Sequence, residues 1–96
     1  MIAWVAYFFA GIFLGNGVPH FVQGISGKKF QTPFARPWGS ESSPIVNVLW
    51  GIVNFVIAGA LLTIGDFDLG LTGHFGMVVL GLLVISVGLA WYFKKK

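Results

Sequence analysis

Three long apolar runs dominate the chain: Ile2 to Val22, Ile45 to Ile64 and Gly73 to Phe93, none of them holding a charged residue. A helix rising about 1.5 Å per residue needs roughly 20 residues to cross a hydrocarbon layer of about 30 Å, and each run is of that length. In lipid the backbone must satisfy its own hydrogen bonds, so isolated runs of this kind predict helices. Helices are expected over about 2–22, 44–64 and 73–93, within a single domain covering 1–96. The end signals agree. Ser43 followed by Pro44 reads as an N-cap with proline at the first helical position. Gly65 reads as a C-terminal stop after Ile64, and Thr72 as a cap for the third helix. Pro19 leaves the first helix with two possible ends, a stop near Gly17 or a kink and continuation. The first run is expected to be a retained span, because a cleavable signal peptide carries a basic segment ahead of its apolar core.

Composition turns three helices into three membrane spans. Charged residues make up 9% of the chain and hydrophobic ones 56%, with a mean hydropathy of +0.85. An average soluble domain carries about 25% charged residues. Nine charges cannot clothe a water-exposed surface of this size, so a soluble globular fold is excluded. With no cysteine, disulfide frameworks, thiolate zinc sites and cysteine nucleophiles are excluded too. Six basic residues are too few for a nucleic-acid surface, and no nucleic-acid partner is expected.

Charge placement predicts the orientation. Lys28, Lys29 and Arg36 lie between the first two helices, and Lys94, Lys95 and Lys96 follow the third. The remaining loop, Gly65 to Thr72, has Asp66 and Asp68 and no basic residue. All basic residues therefore fall on one side, which the positive-inside rule makes cytoplasmic, with the N-terminus outside and the C-terminus inside. Trp4 and Tyr7 are expected in the outer aromatic belt, and Trp91 and Tyr92 in the inner one. The short second loop predicts that helices two and three are antiparallel neighbours. The connection from Gln23 to Pro44 is long, rich in proline and glycine, and opposed to regular helix. It is expected to lie along the inner interface, with Ile25, Phe30, Phe34 and Trp38 at the acyl boundary. Lys28, Lys29 and Arg36 would then contact lipid headgroups beside Trp38.

Polar residues within a span are costly and need an account. At 100° per residue, Asn47, Gly51, Asn54 and Ala58 share one stripe of the second helix, and His74, Gly81, Gly88 and Tyr92 one face of the third. The first helix carries Gly11 and Gly15 four residues apart, with Asn16 and His20 on an adjoining face. Small residues let membrane helices approach and amides bond across them, so Gly11, Gly15, Gly51, Ala58, Gly81 and Gly88 are expected packing positions. Depth along the spans brings Asn16, His20, Asn47 and Asn54 to one level, roofed by the long loop. This cluster reads either as a binding site or as interhelical hydrogen bonding that fixes the packing.

No catalytic constellation is present. The spans hold no carboxylate, and no Ser/His/Asp arrangement has supporting spacing, so catalysis is not expected. His20 and His74 sit at opposite ends of their spans, and neither a metal nor another cofactor is expected. Asp66, Asp68 and His74 could meet a cation, but read more simply as a solvated acidic turn.

From Leu14 to Asn54 the segment LGNGVPHFVQGISGKKFQTPFARPWGSESSPIVNVLWGIVN resembles short bacterial membrane proteins of unassigned function. The resemblance covers under half the chain and implies a bacterial inner-membrane setting, with no activity attached. Three functions fit these residues. The first is a non-catalytic membrane protein packing through its small-residue and asparagine faces, as a homo-oligomer or as an accessory subunit of a membrane complex. The second is an oligomeric channel or transporter with Asn47 and Asn54 facing its axis. The third is a lipid- or quinone-binding protein using the asparagine and histidine cluster.

Overall fold

The computed structural model describes residues 2–94, and its elements follow the apolar runs. Helix α1 spans Ile2–Ile25, α2 Pro44–Ile64 and α3 Thr72–Phe93, all three long and apolar enough to cross a membrane. The long connection carries a two-residue antiparallel pair, β1 (Phe30–Gln31) with β2 (Glu41–Ser42), in the register Phe30 to Ser42 and Gln31 to Glu41.

Local chemistry sets the helix ends. α1 runs straight through Pro19 and stops six residues later, so the open question at Pro19 resolves as continuation. Its stop is built around Gly27, whose φ of 72° is left-handed. The Lys28 N–H reaches back to Gln23 O at 2.9 Å and the Gly27 N–H to Gly24 O at 3.0 Å, which satisfies the last carbonyls. α2 starts as its sequence predicts, with Val46 N–H donating to Ser43 Oγ at 3.2 Å and Pro44 at the first helical position. At its far end the left-handed residue is Asp66 (φ 58°), whereas Gly65 keeps an ordinary φ of −80°. Gly65 is small for a different reason: a Cβ there would come within 2.5 Å of the Tyr7 ring. Thr72 does not cap α3. It is already the first helical residue, and the N-cap position, Leu71, makes no side-chain cap bond.

Helix α1 is the centre of the bundle. It packs extensively on α2 along one side and on α3 along another, while α2 and α3 make little contact with each other. The expected antiparallel α2–α3 neighbours are therefore not formed. The short connection returns the chain along α1 instead, because the small residues of both later helices are matched to it. A Cβ on Gly11 would land on Val78 O, and one on Gly81 would land on Phe8 O. This reciprocal pair brings α1 and α3 to backbone contact, running parallel. Gly15 continues the seam beneath Ile85 and Leu82. On the other side, a Cβ at Gly17 would meet Gly51 O at 3.0 Å and one at Gly51 would meet Gly17 O at 3.0 Å. Gly24 lies likewise against Pro44 and Val48, and Ala10 and Ala58 are both fully buried. Such approaches place Cα–H groups against carbonyl oxygens and maximise dispersion where no water drives association. Gly88 meets nothing within 4 Å, so the expected packing there is not made inside the chain.

The interior is small and polar and the exterior large and apolar. Tyr7, Asn47 and Asn54 are the largest fully buried side chains, whereas Ile2, Val56, Val87 and Trp91 stand more than half exposed. In water this distribution would be inverted. Tyr7, expected in an outer belt, is instead a plug. Its hydroxyl donates to Gly65 O, and its ring stacks on His74 at 4.4 Å and on Phe67 at 5.4 Å.

Replacing Gly81 by leucine is expected to lower stability by about 1–3 kcal/mol, the usual cost of forcing a side chain into a filled seam. Gly88→Leu on the same helix should change it by less than about 0.5 kcal/mol. Thermal unfolding of both variants in one detergent checks the pair.

Candidate functional site

Two amide pairs tie α1 to α2. Asn16 Nδ2–H donates to Asn54 Oδ1 at 3.1 Å, and His20 Nδ1 lies 2.8 Å from Asn47 Oδ1. The four residues read from the sequence as a cluster are thus brought together as two separate pairs, one turn apart on α1 and two turns apart on α2. The α2 asparagine of each pair is held in turn by backbone carbonyls. Asn54 Nδ2–H donates to Trp50 O at 2.8 Å. Asn47 Nδ2 faces Phe30 O and Ser42 O at 3.1 Å and Ser43 O at 3.0 Å. Asn47 therefore fastens the loop as well as the helix, clamping both strands of the β1–β2 pair to the start of α2. Asn47 and Asn54 are wholly buried against α1, so neither can line a pore shared between copies without parting α1 from α2.

Clamped in this way, residues 26–43 fold into a flap over the lysine-bearing end of the bundle. Phe30 turns inward, 5.2 Å from His20 and 5.0 Å from Phe93, so it is not the boundary residue expected of it. Phe34 packs edge-on to Trp50 at 4.8 Å. Thr32 and Ser42 share a hydroxyl hydrogen bond, and Tyr92 Oη donates to Gln31 Oε1 at 3.2 Å, joining the flap to the end of α3. Lys28, Lys29, Arg36 and Trp38 remain on the outside. The Arg36 guanidinium lies 4.4 Å from the Trp38 ring centre and donates to Pro33 O at 2.8 Å, which presents a cation and an indole on one edge.

Because α2 and α3 stand apart, a cavity of about 260 Å³ remains between them beneath the flap. Asn16, Pro19 and His20 form its floor on α1, Trp50 one wall, and Leu89, Tyr92 and Phe93 the other; Phe30, Gln31, Thr32 and Trp38 close it from the flap. A second, almost wholly apolar groove of about 300 Å³ adjoins it, lined by Gly15, Val18, Leu82 and Ser86, and by the same Pro19 and Leu89. The polar cavity and the apolar groove therefore share a wall.

Sequence reasoning missed Trp50, Gln31, Thr32, Leu89 and Phe93 as lining residues. Trp50 had a signal, lying three residues after Asn47 and four before Asn54, on the same side of α2. Gly17 and Gly24 were missed as packing positions, although Ala10, Gly17 and Gly24 repeat every seven residues as the α2 stripe does. The indole Nε1 of Trp50 is buried without a hydrogen-bond partner.

At the opposite end His74 is absorbed by structure. Its Nδ1 accepts the Asp68 N–H at 3.1 Å, and Asp68 Oδ1 takes the Gly70 N–H at 2.9 Å. Among the described residues no group of three or more His, Cys, Asp or Glu side chains is placed to hold a metal ion.

The fold and the site fit a multi-pass membrane protein with a small lined cavity at one end. No protein-family model, curated protein or solved structure matches the chain, so the site is read from its own geometry.

Asn47→Leu is expected to cost about 2–4 kcal/mol, because it removes the amide bonds to Phe30 O and Ser42 O and the acceptor of His20, while Ser43 O keeps the backbone N–H of residue 47. It should also make the flap sensitive to trypsin at Lys28 and Lys29, next to the Phe30 carbonyl that Asn47 holds. Trp50→Phe removes a buried donor that has no partner, and should leave the unfolding midpoint unchanged or raised.

Proposed function

We propose that this chain is a small, non-catalytic multi-pass membrane protein that holds the head of an amphiphilic molecule beneath the flap and its tail along the adjoining groove. The observation carrying this reading is the shared wall of Pro19 and Leu89 between a cavity with several polar side chains and a groove where, among the described residues, Ser86 is the one polar side chain. An amphiphile has that same division, and concave sites of this kind fix a ligand with a few placed polar groups among apolar ones. The cavity volume of about 260 Å³ lies just under the range of roughly 300–1,000 Å³ usual for drug-sized ligands, which suits a head group alone.

An oligomer or accessory subunit is the second reading. Gly11, Gly15, Gly51, Ala58 and Gly81 are used between helices of one chain, so a partner would meet the bare small positions left, Gly76 and Gly88 on α3 or Gly59 on α2. The bilayer itself is the remaining partner, with Lys28, Lys29 and Arg36 toward anionic headgroups. The positive-inside rule puts the flap on the cytoplasmic side and Asp66 and Asp68 outside, in a bacterial inner membrane.

Native mass spectrometry of protein extracted in mild detergent is expected to find one retained amphiphile per chain. Leu89→Trp, which fills the junction of cavity and groove, should displace it while helicity by circular dichroism is kept. Absence of any retained molecule, or equal retention by the variant, overturns the reading. For the orientation, Asp66→Cys should be labelled by an impermeant maleimide in intact cells and Lys29→Cys only after permeabilisation. The reverse pattern would invert the topology.

A further inference from the structure

The orientation of the two amide pairs restricts what the cavity can bind, and the restriction follows from groups that have no choice of role. Carbonyl oxygens only accept. Asn47 is surrounded on its nitrogen side by Phe30 O, Ser42 O and Ser43 O, so its amide NH₂ faces them and its Oδ1 faces His20. His20 must then donate through Nδ1–H, and in the uncharged ring Nε2 is left as an acceptor. The same logic runs one turn away along α1. Asn54 gives its NH₂ to Trp50 O and accepts from Asn16 at Oδ1, so Asn16 Oδ1 is left as an acceptor. Neither His20 Nε2 nor Asn16 Oδ1 has a partner among the described residues. Neither is sealed off either, unlike Trp50 Nε1, which is buried without a partner. Asn16 and His20 are four residues apart on α1 and both line the cavity, so its floor offers two acceptors at helical spacing.

Two more properties narrow the ligand. Among the described residues no lining side chain is charged, so against these an ionic head would lose its water without gaining a counter-charge. Five of the lining residues are aromatic: Phe30, Trp38, Trp50, Tyr92 and Phe93. Flat rings pack edge-on or offset against such walls. Taking as given that the site holds an amphiphile, we propose that its head is a neutral ring carrying hydroxyl donors, the quinol class. The ring hydroxyls donate to His20 Nε2 and Asn16 Oδ1 while the isoprenoid-like or alkyl tail follows the groove past Leu89. The oxidised quinone has only carbonyl acceptors, so at the floor it meets the same two acceptors without a hydrogen bond and can accept only from flap donors such as Gln31 Nε2–H. The floor therefore favours the reduced member of the pair, through binding alone.

The test compares decyl-benzoquinol, kept reduced under argon, with decyl-benzoquinone, each titrated against the purified full-length chain in detergent. The quinol is expected to bind at least about tenfold tighter, as two neutral hydrogen bonds facing unmet acceptors allow. Asn16→Leu and His20→Phe should each weaken quinol binding several-fold and leave quinone binding nearly unchanged, so that the preference collapses. If His20→Phe does not fold, the comparison on the unaltered protein and on Asn16→Leu decides the matter. Equal binding of the two forms, or tighter quinone binding, overturns the proposal. Retention of a phospholipid that Leu89→Trp displaces, with no quinol preference, overturns the quinol assignment while leaving an amphiphile site in place. A protein that retains nothing and binds neither probe loses both.

Discussion

In hydrocarbon a leucine is as well solvated by lipid as by another leucine, so helices associate only where their backbones can come closer than side chains normally allow. The whole arrangement depends on α1 providing such approach on two sides. Gly11 and Gly15 open one seam and Gly17 and Gly24 the other, and each is met by a glycine or a carbonyl of a different helix. Any side chain at the Gly11–Gly81 crossing would push the helices apart by more than the range over which dispersion acts. With both seams used on α1, α2 and α3 are left facing each other across a gap. The gap is what the flap covers and what becomes the cavity.

Polar groups then do what burial of large apolar side chains does in water: they select one register. The asparagines are held between a fixed backbone carbonyl and a movable partner, so their orientation is dictated from the backbone outward. Asn47 is the most connected of them, and through it the position of α1, the start of α2 and both short strands are a single commitment. Buried amides without this satisfaction would be costly in a low-dielectric interior. With it, they leave two lone pairs pointing where no protein donor reaches.

The three helices were legible because charge is absent from each apolar run, and the start of α2 because Ser43-Pro44 has a local mechanism. The juxtaposition of Asn16, His20, Asn47 and Asn54 was legible too, since depth in a membrane is counted along the helix axis. The neighbour relation of α2 and α3 was not. Loop length says that two helices can be adjacent, but which seams close depends on three helices competing for the same glycines. Phe30 and Tyr7 turned inward for a related reason: an aromatic near a span's end reads as a belt residue, and only the fold shows whether a vacant site lies closer. The flap's strands are two residues each, too short for any alternation to register.

The crossing at Gly11 and Gly81 lies near the middle of α3, whereas Leu89, Tyr92 and Phe93 lie near its end. Tyr92 is therefore about 16 Å along the axis from the crossing, at about 1.5 Å per residue. With little contact to α2, the far half of the helix rests on Gly15 through Ile85 and on the flap through Tyr92 and Phe93, so the flap would bear a tilt about the crossing. A tilt of about 5° there would swing its tip by more than about 1 Å, while the glycine crossing itself hardly moves. If the cavity holds an amphiphile as proposed, bilayer thickness and lateral pressure, which act on that tilt, would set the aperture to its floor.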